Sequence, residues 1–284
     1  KYLGDKYSLP TRRVDVYMHS RGGYLGGSML ATGLAVDVKA AEAKIKEGGG
    51  PFYLGGVRPG GEREEDADQE DAVQDERTGL WGTNGNRDPN QYFIRASCGM
   101  MDADQPYGDN FLFKNWSLHG DKAAADHAKF GLEWAKRMFK QSVKQKKMPP
   151  VGAGPGERLR QEAFCTRIFV GEADGEGPDG GPAPKAHLIM NAGPGGCGDT
   201  YEGTATTVLE AASMILDAAD GGPDGANGLR PGYGTPAWHL AHLGFFERLI
   251  GRGFTAKVVD GPPSRDFFRN LFDSTMPIGD VPPD

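Results

Sequence analysis

Three observations predict an α+β fold, with a mixed, largely antiparallel sheet covered by helices on one face. Strand patterns occur in adjacent pairs, helical patterns are interspersed among them, and the chain lacks the strict strand-helix alternation of a doubly wound domain. Its glycine-rich turn, which superficially spells a dinucleotide fingerprint, also lacks the elements that should follow it.

TRRVDVYMHSRG sets Val14, Val16 and Met18 on one face and polar or charged residues on the other, which predicts a half-buried strand. A glycine turn, GGYLGGS, comes next. From Ser28 the spacing of Met29, Leu30, Leu34, Val36 and Val38 predicts a helix to about Lys46, ended by Gly48, Gly49 and Gly50. Residues 60–79, GGEREEDADQEDAVQDERTG, are dense in acid and nearly devoid of apolar side chains, so they read as a solvated insertion of low functional content. The aromatic alternation of QYFIRASCGM and DNFLFKNWSLHG predicts an antiparallel pair turning near Pro106 and Gly108. A helix is predicted from Asp121 to Lys147, where Phe130, Trp134, Met138 and Phe139 recur at helical spacing and lysines crowd the second half. EAFCTRIFVGEA and KAHLIMNA read as two strands joined by a glycine-proline loop. Helices from Gly203 to Ala219 and from Pro236 to Arg252 follow, and FTAKVVD closes the domain as a strand.

The turn from Gly193 to Gly198, GPGGCG, sits between a strand and a helix as a nucleotide-binding turn would. That function also needs a second strand ending in an acid about 20 residues beyond the glycines, to hold a ribose. Instead the helix leads into the loop GGPDGANGLRPGYG, and Asp260 at the end of the next strand comes far too late. The expectation is a glycine turn before an ordinary helix.

Composition narrows the functional classes. With 284 residues and 38% hydrophobic content the chain can bury a real core, and its 44 glycines are clustered in loops rather than in a collagen-like period. A net charge of -7, with no basic stripe interleaved with aromatics outside one short helix, argues against nucleic acid as a partner. Cys98, Cys165 and Cys197 are widely spaced and form neither a disulfide framework nor a zinc motif. His239 and His242 would lie on adjacent turns of a helix, but no third ligand is evident and no metal is expected. No run of 18 apolar residues offers a membrane-spanning helix. The chain opens on Lys1 in a polar stretch with no signal- or transit-peptide character, so a further segment upstream is expected.

GDTYEGTATTVLEAASMIL resembles the stretch of saccharopine dehydrogenase-like oxidoreductases in which an acidic or glycine pair and a Tyr precede a T-A-x-x-x-x-E-A-A helix. RGGYLGGSMLATGL is similar to the glycine turn and helix that open the substrate domain of that family, and GYGTPAWHLAHLGFFERLIGRGFTAKVV to its ending. The resemblance spans most of residues 12–260. It implies the C-terminal, substrate-side domain of such an oxidoreductase, inactive on its own, whose NAD(P) would bind an N-terminal Rossmann domain that these residues do not contain. No cofactor is then expected on this chain itself. Relatives in that family occur in the cytosol, on lipid droplets, in plastids and in mitochondria, and an organellar location is the expectation. The alternative is a non-catalytic scaffold subunit, keeping the fold within a larger, possibly membrane-bound organellar assembly.

Two glycine turns, each leading into a helix N-terminus, are candidate sites for a substrate carboxylate or other anion. Their residues are Arg21, Gly22, Gly23 and Ser28 in the first, and Asp199, Tyr201 and Thr204 in the second, with Arg21 and Tyr201 facing the ligand. The competing reading is that Asp199 and Thr204 simply cap the helix and the glycines serve tight packing. Trp134, Lys140, Lys144 and Lys147, an aromatic beside a row of cations, are candidates for a membrane or partner surface, against the reading of a helix that covers the sheet with a solvated basic edge. Residues 261–284 read as a tail separate from a domain of residues 1–260. Phe267, Phe268, Leu271 and Phe272 would form one apolar stripe there, expected to dock on a protein partner or on the chain's own sheet.

Overall fold

The computed structural model describes residues 2–21, 38–55, 63, 71–84, 90–101, 107–127, 137, 141–142, 144–147, 152–154, 156–192, 200–219 and 234–273. Among these, one sheet contains β1 (Thr11–Arg21), β2 (Val73–Gln74), β3 (Trp81–Asn84), β4 (Tyr107–His119), β5 (Phe164–Ala173), β6 (Lys185–Asn191) and β7 (Thr255–Asp260). Their spatial order is β2-β3-β4-β1-β5-β6-β7, and only the β1–β4 pair runs parallel. Helices among the described residues include α1 (Tyr2–Tyr7), α2 (Val38–Glu47), α3 (Asn90–Met100), α4 (Glu157–Gln161), α5 (Thr200–Ala219), α6 (Pro236–Leu240), α7 (Phe245–Gly251) and α8 (Arg265–Asp273). The mixed, largely antiparallel α+β sheet expected from the sequence is the fold of the protein.

β5 and β6 form the expected hairpin, in register from Thr166↔Asn191 to Glu172↔Lys185, and the last pair adds a 3.1 Å ion pair across the strands. Because side chains alternate along a strand, Ile168 and Val170 share one face with Tyr17 of β1, while Cys165 and Ala173 lie on the other. That second face is covered by α1, whose Leu3 packs on Ala173 and Ala186, and by α7, whose Leu249 packs on Cys165, Ala192 and Phe254. α5 leans on the same face through Gly203. A Cβ at Gly203 would meet the Ala192 Cβ at 3.0 Å and the Phe254 ring at 3.8 Å. Gly203→Val is therefore expected to destabilise the domain by roughly 1–3 kcal/mol, since Ala192 has no flexible end to swing away; thermal melting followed by circular dichroism measures it.

Three elements differ from expectation. QYFIRASCGM is not a strand but part of α3, whose buried side carries Gln91, Arg95, Ala96 and Ser97 at helical spacing while Phe93 points outward. Its aromatic alternation mimicked a strand, yet Ala, Ser and Arg between the aromatics support a helix. β4 accordingly pairs with β1 and β3, not with this segment. The helix expected from Pro236 to Arg252 is interrupted at Gly244, whose φ of 78° takes the left-handed conformation that glycine tolerates. Thr235 caps the first piece, its hydroxyl accepting from the Trp238 N–H at 3.3 Å, with Pro236 in the first turn.

The third difference concerns the C-terminal segment. Residues 265–273 are helical, as the apolar stripe suggests, but they do not stand apart from the domain. Phe268 and Leu271 are buried in one cluster with Tyr17, Leu80, Ile168 and Val170, on the face opposite α1, α5 and α7. The Phe268 ring meets Tyr17 edge-on at 4.9 Å. Gly261, with φ of 80°, turns the chain from β7, and its carbonyl lies 2.8 Å from His187 Nδ1. Ser264 then caps the helix by accepting from the Phe267 N–H at 3.0 Å. Arg265 donates to the Glu76 carbonyl at 2.8 Å and 3.2 Å, tying the helix to the turn after β2. The self-docking alternative describes this segment.

Candidate functional site

The most concentrated polar cluster among the described residues lies in the middle of the sheet, on the face that α8 covers. Asp15 of β1 is in register with Lys114 of β4 and Val170 of β5 and is wholly buried. Arg13 is two residues away on the same face of the strand, so its guanidinium folds back and donates from Nε at 2.7 Å and Nη2 at 2.9 Å. Trp116 Nε1 donates at 2.8 Å to Oδ1, the oxygen that also accepts from Arg13 Nη2, and Arg77 donates to Oδ2 from the turn after β2. Asp75 in that turn accepts the Tyr17 hydroxyl at 2.6 Å and the Arg77 N–H at 2.8 Å.

Burial raises the Asp15 carboxyl, but the hydrogen bonds and charges of Arg13 and Arg77 outweigh it and hold the group below the usual carboxylate range. Burial, followed by the charges of Asp15 and Asp75, pushes the Tyr17 phenol far up. An ionised carboxylate has about four acceptor positions, and donors from Arg13, Arg77 and Trp116 occupy those of Asp15. Such a group has no capacity left to accept a substrate proton, and a phenol held protonated against Asp75 does not supply a base. The network joins two strands and a turn; its chemistry is that of a core.

These partners correct two expectations. β1 is buried on both faces at its middle, Val16 on the expected apolar face and Asp15 and Tyr17 on the face expected to be polar and solvated, while Met18 of the apolar face is exposed. Residues 60–79 are not merely a solvated insertion, because 73–74 form β2 and Asp75, Glu76 and Arg77 bind the core and α8. One local signal was available: Asp75 and Gly79 bracket a turn of the kind that Asp and Gly favour, and Gly79 takes φ of 71°.

Among the anion-site candidates, Gly22, Gly23, Ser28 and Asp199 lie outside the described residues, as does the turn from Gly193 to Gly198. Arg21 is the last residue of β1. Tyr201, half-buried, and Thr204, exposed, both sit at the start of α5. Of the basic surface, Trp134 and Lys140 lie outside the described residues, and Lys144 and Lys147 are exposed. Phe267 is half-buried, Phe268 and Leu271 are buried against the protein's own sheet, and Phe272 belongs to α8.

Burial pushes the Cys98 thiol up to about 12, so it is not a nucleophile at neutral pH, and Cys165 is packed in the core out of reach of a substrate. The His239 ring stacks edge-on against Trp238 at 4.5 Å. Among the described residues no group of three or more His, Cys, Asp or Glu is placed to hold a metal ion, and no helix is long and apolar enough to cross a membrane.

α5 presents the other unusual feature, which the sequence reading missed. Its inner side carries Gly203, Glu210 and Met214, and Glu210 is held by Arg248 and Arg252, each at 2.7 Å. Its outer side carries Val208, Leu209, Ile215 and Leu216, all exposed. An amphipathic helix ordinarily turns such residues inward. No family model, curated protein or solved structure matches the chain.

Proposed function

We propose that this domain is the substrate and association half of a saccharopine dehydrogenase-like oxidoreductase, inactive on its own and specialised in its described part for association. The observation that carries this reading is the outward apolar face of α5, a helix that binds Arg248 through Glu210 and Asp217 on its other flanks. Support also comes from the inward commitment of the buried charges around Asp15, and from the sheet, which is of the class the resemblance implies. NAD(P) would belong to a separate Rossmann domain. The non-catalytic scaffold reading draws on a free C-terminal stripe, and with Phe268 and Leu271 on the protein's own sheet its remaining support is the same α5 face.

Calorimetric titration of the 284-residue chain with NADPH tests this assignment. No saturable binding is expected. Micromolar binding that disappears in Gly195→Val would overturn it and make Gly193 to Gly198 a functional nucleotide turn.

A further inference from the structure

We infer that the outer face of α5 is the seat of a second copy of this chain, packed helix against antiparallel helix about a two-fold axis. The inference rests on the association reading above and names the partner. At about 100° per residue, Ala205, Val208, Leu209, Ala212, Ile215 and Leu216 fall on one continuous side of the helix. The large members of that side are open to solvent, with Val208 61%, Leu209 67%, Ile215 46% and Leu216 63% exposed, and Ala205 and Ala212 are exposed between them. Together the four large side chains leave on the order of 400 Å² of apolar surface, the size of patch that on a monomer commonly marks an interaction site. That is about half of the roughly 800 Å² per partner of a standard interface, and the residues flanking the face would supply the rest.

The side is complementary to itself. A two-fold interface must place each residue against a different residue of an identical surface. If Leu209 of one copy lies over Ala212 of the other, the same two-fold point, midway between Glu210 and Ala211, places Leu216 over Ala205. One register thus matches large with small at four positions, the pattern by which facing helices interdigitate. Antiparallel alignment also opposes the two helix dipoles favourably. An anionic lipid surface fits less well, because the residues of α5 include Glu202, Glu210 and Asp217 and no cation.

Sedimentation equilibrium of the 284-residue chain and of L209E/L216E, from low micromolar concentration upward, decides the matter. The chain is expected to dimerise, and the variant to weaken dimerisation by at least about 100-fold, since each buried carboxylate would lack a partner. Its melting temperature at concentrations where both proteins are monomeric should be unchanged, because both positions are exposed in a single copy. A chain that stays monomeric to 100 µM or so, far above the dissociation constants of stable dimers, overturns the inference. So does a dimer indifferent to L209E/L216E. Flotation with anionic vesicles that is lost in the variant while the chain stays monomeric would overturn it in favour of a membrane. None of these outcomes depends on NADPH, so failure here is distinguishable from failure of the functional reading.

Discussion

Truncation after Asp260 is expected to unfold the domain. The removed segment contains Phe268 and Leu271, both buried against Tyr17, Leu80, Ile168 and Val170, with Phe267 packed beside them. Burial of the two side chains contributes roughly 3–6 kcal/mol, and their loss uncovers the apolar sheet residues they shield as well. A domain of ordinary stability has only about 5–15 kcal/mol to lose. The ties from Arg265 to Glu76 and from His187 to Gly261 would go too, loosening β2 and the edge strands. Phe268→Ala alone is expected to cost about 3–5 kcal/mol, the range for deleting a buried aromatic. Urea unfolding of both variants measures the loss. A truncated chain melting within a few degrees of the full chain would show that α8 is dispensable and that the stripe is free for another partner.

The second large effect is expected at Asp15. In Asp15→Asn the amide offers two N–H groups where the carboxylate accepted from Arg13 and Arg77, so the guanidiniums lose their counter-charge inside the sheet. Removing one partner of a buried ion pair costs about 3–5 kcal/mol. Arg13→Gln should cost less, because the Asp15 carboxylate keeps Arg77 and Trp116 and the lost side chain is partly exposed. The pH dependence follows from the lowered carboxyl. Its contribution is present above the unfolded carboxylate value of about 3.9 and is lost as pH falls through the lower folded value. Denaturant midpoints of the native chain should therefore fall steeply in acid, and Asp15→Asn should flatten that fall. An acid limb of equal slope in both proteins would remove Asp15 from the account.

Much of the sheet was legible from local pattern. β1, β4, β5, β6 and β7 each have apolar or aromatic alternation within one short window, and the glycine-proline loop between β5 and β6 marks a hairpin. α3 was misread because Tyr92 and Phe93 dominate a short window in which strand and helix periods cannot be separated. The candidate site was far less legible. Nothing within TRRVDVYMHSRG says that Asp15 is buried, since that follows from Arg77 arriving 62 residues later, Trp116 arriving on a parallel strand, and α8 closing over the same face.

The sequence by itself determined the α+β class, the hairpin, the helix end at Gly48 and the apolar stripe of residues 267–272, because each depends on neighbours within a few turns or pleats. Tertiary structure alone decided which side of each element is inside. It buried the charged face of β1, because paired charges can enter a core that lone charges cannot. The same packing turned Phe268 and Leu271 of α8 onto their own sheet, and on α5 it drew Glu210 inward to Arg248 and Arg252, leaving Val208, Leu209, Ile215 and Leu216 facing out. Amphipathicity specifies that a helix has two sides; the ion pairs and shapes that meet it specify which one the protein keeps.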